Sequence, residues 1–133
     1  MYYATKHIHF CYGHRLLKHP GKCSRLHGHN AIAEIHCARK TLDSGHMVVD
    51  FDRITKVVKA WIDENLDHKM VLNRKDPLMA FLKKSGEPFY SIDTDPTAEC
   101  LAKLIYEVAE SKKLPVRKVV LWETPSSFAS FER

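Results

Sequence analysis

No stretch of this chain stays apolar long enough to cross a membrane as a helix, which takes about 20 residues. Its opening segment mixes Lys6, His7, His9, His14 and Arg15 with strand formers and does not read as a signal peptide. The 4 cysteines, at positions 11, 23, 37 and 100, show neither a C-x2-C metal knuckle nor the spacing of a small disulfide-stapled domain. Free thiols in a cytoplasmic protein are the expectation. Basic runs are also missing: 21 Lys and Arg against 16 Asp and Glu leave a formal charge of +5, but the cations are dispersed and no stacking-aromatic motif accompanies them. Nucleic acid and membrane are therefore not expected partners, and a polyanionic small molecule fits the charge as well. With no repeat or low-complexity segment, 133 residues that are 44% hydrophobic suit one domain spanning residues 1–133.

What the chain does carry is concentrated in Cys23-Ser24-Arg25-Leu26-His27-Gly28-His29. Alternate side chains of an extended backbone share a face, so His27 and His29 can grip one metal ion while Gly28 turns away. His14, in a segment that reads as the preceding strand, is the best third ligand. Three neutral imidazoles with no obligatory fourth protein ligand describe a zinc site of the open, catalytic type. Cys23 has two readings: a fourth ligand that closes the site, or a reactive thiol beside the metal. Closed sites usually hold two cysteines at short spacing, and neither Cys11 nor Cys37 stands so with Cys23, which favours the thiol. A second H-x-H, His7-Ile8-His9, lacks the glycine and the upstream thiol and reads as an exposed strand pair.

Elements follow from periodicity. Tyr2 to Gly13 suits a strand, and Leu26 to about Lys40 a second one, since Ala31, Ala33, Ile35 and Cys37 share parity with His27 and His29. Asp50 is a helix cap, and Phe51, Ile54, Val57, Val58, Trp61 and Ile62 mark a helix ending near Leu66. Residues 73–94 carry a weaker signal: Asp76 to Leu82 suits a short helix that Ser85-Gly86-Glu87-Pro88 breaks. Asp95-Pro96 resembles a cap with proline at the first helical position, followed by Leu101, Leu104, Ile105 and Val108. Arg117 to Trp122 and Ser127 to Glu132 read as paired strands. The expectation is an α+β fold with a four-stranded antiparallel sheet and two long helices on one face, ordered strand-strand-helix-helix-strand-strand.

Two further pieces carry chemistry. Asp67-His68 sets a carboxylate beside an imidazole, where it can fix the tautomer, and Glu123 closes an apolar strand where a carboxylate needs donors. Read alone, Asp67-His68 is a helix terminus and Glu99 a first-turn carboxylate favoured by the helix dipole. As a set, Phe10 with His14-Arg15-Leu16, Lys22-Cys23 through His29, Val48-Val49-Asp50-Phe51, Leu66-Asp67-His68, Leu72-Asn73, Pro96-Thr97-Ala98-Glu99 and Glu123-Thr124 resemble the 6-pyruvoyltetrahydropterin synthase family. Within it they look closest to its bacterial 6-carboxytetrahydropterin synthase branch, which serves queuosine (7-deazaguanine) synthesis.

The resemblance implies a tunnelling fold (T-fold) whose subunits assemble as paired trimers into a homohexamer, with pterin pockets between subunits. It implies zinc on His14, His27 and His29, Cys23 as proton acceptor, Asp67 and His68 as a relay, and Glu123 as anchor of the pterin ring, with Thr97 and Glu99 near that ring. The implied reaction is a lyase reaction converting 7,8-dihydroneopterin triphosphate to 6-carboxytetrahydropterin, with release of acetaldehyde and triphosphate. The alternatives are triphosphate elimination to the 6-pyruvoyl product, a cysteine hydrolase using Cys23 and His68, and a non-catalytic zinc-binding module. Two departures from the family pattern stand out: Tyr12-Gly13 replaces two small residues before His14, and the segment from Lys75 to Asp95 is long.

Overall fold

Two long strands set the frame. In the computed structural model, which describes residues 1–133, β1 (Tyr2–His14) pairs antiparallel with β2 (His27–Arg39) along its whole length, from Tyr2 opposite Arg39 to His14 opposite His27. Side-chain alternation puts Ile8, Phe10, Tyr12 and His14 of β1, with Ala31, Ala33, Ile35 and Cys37 of β2, on one buried face. His7 and His9 lie on the other face and are exposed, the strand pair that the pattern suggested.

Helices cover the buried face. Asp50 caps α1 (Phe51–Ile54), its side chain accepting from the Asp52 N–H at 2.8 Å, and a π-type segment at Thr55–Lys59 carries the chain into α2 (Ala60–Asn65). Ile54, Val58, Ile62 and Leu66 keep one stripe wholly buried through that change of winding. A further helix, α3 (Leu78–Ser85), ends at Gly86, whose φ of 74° is a left-handed cap that suits glycine. The last, α4 (Ala98–Ser111), buries Leu101, Ile105 and Ala109 and packs over β5 (Val116–Thr124) and β6 (Ser127–Glu132). Its cap is Thr97, which accepts from the Cys100 N–H at 3.2 Å, and not Asp95. Asp95 instead accepts from the Asn73 side chain and the Lys18 N–H, tying the helix entry to neighbouring loops.

The sheet corrects the four-stranded antiparallel expectation. It has six strands in the order β4-β3-β1-β2-β5-β6, with β3 (Lys69–Asn73) parallel to β1 and β4 (Phe89–Ile92) parallel to β3. Strands of 5 and 4 residues are too short to display a period, and β4 alternates nothing because all its residues are half-buried. The α+β class stands; the sheet is mixed. No helix is long and apolar enough to cross a membrane.

A buried ion pair ties the long 75–95 segment to the end of β1. The Asp76 side chain is wholly enclosed and receives two hydrogen bonds from Arg15, Nε to Oδ2 at 2.8 Å and Nη2 to Oδ1. Asp76 Oδ1 also accepts from the N–H of Leu78, the first residue of α3, at 2.8 Å. These bonds, the Arg15 pair foremost, outweigh burial and hold the Asp76 carboxyl below the usual carboxylate range. The contribution is therefore complete above the unfolded value of about 3.9 and is lost as pH falls through the lower folded value. Asp76→Asn should cost about 2–3 kcal/mol at pH 7, below the figure for a fully buried pair because Arg15 is 23% exposed. Urea unfolding at pH 7 and pH 3 should show the natural protein losing more stability on acidification than the variant.

Candidate active site

Register brings three imidazoles together. His14 ends β1, His27 begins β2 directly opposite, and His29 sits opposite Tyr12, all on the helix-covered face. Their ring centroids are 4.5 to 5.1 Å apart, and one donor atom from each lies within 4.8 Å of the others. Gly28, between the two β2 histidines, passes so close to β1 that an added Cβ would stand 3.0 Å from the Tyr12 carbonyl oxygen. A larger residue there would push the strands apart at the point where the rings converge.

Backbone carbonyls choose the tautomers. His14 Nδ1–H donates to the Pro96 carbonyl at 2.8 Å and His27 Nδ1–H to the Arg25 carbonyl at 2.7 Å, since a carbonyl can only accept. Each ring then offers its Nε2 lone pair, the outer-partner arrangement typical of metal-bound imidazole. Burial, against the help of Pro96 and Glu123, holds the His14 pKa below its ordinary value and keeps the ring neutral. His14 Nε2 and His29 Nε2 stand 3.1 Å apart, which demands a proton or a cation between them. That spacing is close to the ~3.3 Å edge of a tetrahedron with metal–nitrogen arms of about 2.0–2.1 Å. The residues fit a divalent metal with an open position.

Around them is a cleft of about 280 Å³ lined also by Cys23, Thr97, Glu99 and Glu123. Cys23 rides a short 3-10 turn, Lys22–Ser24, outside the group of three close donors. Thr97 caps α4 and Glu99 lies in its first turn, so one helix start delivers both to the cleft. Glu123, near the end of β5, places Oε1 3.8 Å from His14 Nε2 and Oε2 3.8 Å from His29 Nε2. The donor its position required is Tyr12, whose hydroxyl hydrogen-bonds Oε1 at 3.0 Å. Burial, then the Glu123 charge, pushes the Tyr12 phenol far above its ordinary pKa, so it remains a donor. Tyr12 shares strand parity with Phe10 and His14 and so faces inward, but nothing in the sequence pairs it with a residue more than a hundred positions away.

Asp67 and His68 do meet, His68 Nδ1–H donating to Asp67 Oδ2 at 2.8 Å. Asp67 Oδ1 accepts from the Cys11 N–H at 2.9 Å, and the His68 N–H donates to the Cys11 carbonyl at 2.7 Å. Burial would raise Asp67, but the Cys11 and His68 bonds outweigh it and leave the carboxyl below its usual range. His68 holds a φ of 58°, a left-handed conformation costing a β-carbon residue about 1–3 kcal/mol. Both members line a cavity with Cys11, on the strand face opposite His14, and His68 lines a second one that Cys11, His27 and His29 also border; neither member lines the cleft that holds Cys23. Cys11 is thus a neighbour of the dyad and only half-buried.

Taken together, the fold and the cleft define an α+β protein whose mixed sheet presents three histidines able to hold a metal ion, flanked by a thiol and a carboxylate. Residues 3–133 match the family model described as 6-pyruvoyl tetrahydropterin synthase, and the chain belongs to that family. A 6-carboxy-5,6,7,8-tetrahydropterin synthase of Rickettsia bellii is 38% identical, over 94% of this chain and 96% of the relative. One from Haemophilus influenzae is 29% identical over 99% of both. Among solved structures, an uncharacterized protein from Wolinella succinogenes superposes with a TM-score of 0.80 at 27% identity, covering 99% of this chain and 98% of the other. The Caenorhabditis elegans 6-pyruvoyl tetrahydropterin synthase gives 0.75 at 22% over 99% and 95%, and shows the same fold.

Elemental analysis after zinc loading tests the metal centre. His27→Ala should lower zinc affinity by more than the ~10–100-fold that loss of an outer hydrogen-bond partner costs. His7→Ala, in the exposed H-x-H, should leave it unchanged.

Proposed function

We propose that this chain is a zinc-dependent 6-carboxytetrahydropterin synthase, converting 7,8-dihydroneopterin triphosphate and water to 6-carboxy-5,6,7,8-tetrahydropterin, acetaldehyde and triphosphate. The observation that carries the reading is the convergence of three imidazoles, the Cys23 thiol and the Glu123 carboxylate on one cleft. Curated relatives bearing that name over nearly the whole chain support it. His14, His27 and His29 hold the zinc, which when bound supplies Lewis acidity to hydroxyl oxygens of the substrate side chain.

The chain's own groups do the rest. Glu123 accepts from the N–H edge of the pterin, while Thr97 and Glu99, brought in by the start of α4, border the ring. Cys23, held off the imidazoles on its turn, takes the proton from the side chain, with Lys22 and Arg25 flanking it as cations. Asp67 orients His68 for proton relay. Within one chain neither member of that dyad lines the cleft of Cys23, so we assign it to the site of a neighbouring copy. The sheet ends in β4 and β6, and edge strands are natural seams for such pairing, consistent with a hexamer of paired trimers. Four unpaired thiols suit a cytoplasmic setting.

Product analysis is the test. Incubation of the zinc-loaded protein with 7,8-dihydroneopterin triphosphate should yield acetaldehyde and 6-carboxytetrahydropterin. Accumulation of the 6-pyruvoyl product would move the chain to the other branch of the family, and no turnover would sink the reading. Cys23→Ala and His68→Ala should each lose about 10²–10⁴-fold in kcat. Mixing the two inactive proteins through a dissociation and reassembly step should restore part of the activity, because some sites then combine an intact Cys23 with an intact His68.

A further inference from the structure

Tyr12 has no part in the reaction scheme above, yet it is packed against two of the cleft's histidines with 2% of its surface exposed. Its ring is enclosed by Phe10 at 5.6 Å, His14 at 5.1 Å and His29 at 5.7 Å between centroids. A ring packed on three sides cannot swing away, so its hydroxyl is a fixed donor, and it is spent on Glu123 Oε1 at 3.0 Å. The other oxygen faces His29 Nε2 at 3.8 Å.

That geometry bears on a competition. The carboxylate stands 3.8 Å from two of the nitrogens whose lone pairs converge, and carboxylates bind zinc readily at about 2.0–2.2 Å. A small movement of a free Glu123 would make it a fourth ligand, which would close the open position and remove the acceptor from the substrate. We infer that Tyr12 is a positioning residue that tethers Glu123 Oε1, keeping the carboxylate off the metal and leaving Oε2 to accept an N–H of the bound ring. The inference rests on Glu123 serving the pterin, as proposed above. It adds that this chain spends a buried phenol to keep its metal centre open.

Tyr12→Phe keeps the packed ring and removes only the hydroxyl, with near-ultraviolet circular dichroism as the check on folding. Zinc binding to the purified protein, measured by competition with a chromophoric chelator, should tighten about tenfold as Glu123 joins the metal, the scale of one charge-assisted bond. The visible spectrum of the cobalt-substituted variant should change with the added ligand. In steady-state assays KM should rise about tenfold with a smaller change in kcat, the mark of lost ground-state binding. Adding Glu123→Gln should abolish the gain in zinc affinity, since the amide is a poor ligand. Unchanged zinc affinity and cobalt spectrum in Tyr12→Phe would overturn the inference. So would Glu123→Gln alone weakening zinc binding more than about tenfold, because Glu123 would then already be a ligand beside an intact Tyr12. The zinc and cobalt readouts need no turnover, so a negative product assay would count against the proposed reaction without deciding the tether.

Discussion

Everything in the cleft depends on the register between β1 and β2. His14 faces His27 and Tyr12 faces His29, so one hydrogen-bonded ladder decides that three imidazoles and a phenol share a face. A slip of one residue would turn the partner set to the opposite side of the sheet. The same ladder puts Ala31, Ala33 and Ile35 under the helices, so the burial that stabilises the domain and the convergence of the ligands are one constraint. Hydrophobic burial along β2 fixes the pairing far more strongly than the histidines could by themselves.

Metal readiness is then a matter of backbone. Pro96 and Arg25 supply the carbonyls that set two tautomers, and Pro96 comes from the entry to α4, which also brings Thr97 and Glu99 to the cleft. Asp95, beside it, is held by Asn73 and Lys18, so the approach to α4 is anchored to β3 and to the loop after β1. The long segment between them is likewise pinned by Arg15 and Asp76. A strand, a helix start and the segment that carries α3 and β4 are therefore tied together within a few residues of the three histidines.

The chemistry divides between two places on the sheet. Imidazoles, thiol and Glu123 share one cleft, while Asp67 and His68 are stapled to the Cys11 backbone and lie outside it, with His27 and His29 bordering a cavity of His68 as well. A left-handed backbone at His68 stores strain just where the dyad is presented, as at many sites where geometry is held against local preference.

Much of this was legible in one sequence. Parity along residues 27–37 determined the strand, its buried face and the H-x-H chelate, and four-residue spacing determined the helix from Phe51 and the stripe of α4. The set of motifs determined the family. Local pattern speaks for neighbours along the chain, so it was blind wherever the partner lay far away. Strands β3 and β4 are too short to declare themselves and exist because β1 offers an edge to β3, and β3 in turn to β4. Thr97 displaced Asp95 as the cap because the Asp95 carboxylate found donors in Asn73 and Lys18. Which face receives the Asp67-His68 dyad, and that a tyrosine at position 12 holds a glutamate at position 123, were decided only when the chain closed on itself. Hydrogen bonds between remote residues form only where burial has already brought their strands together.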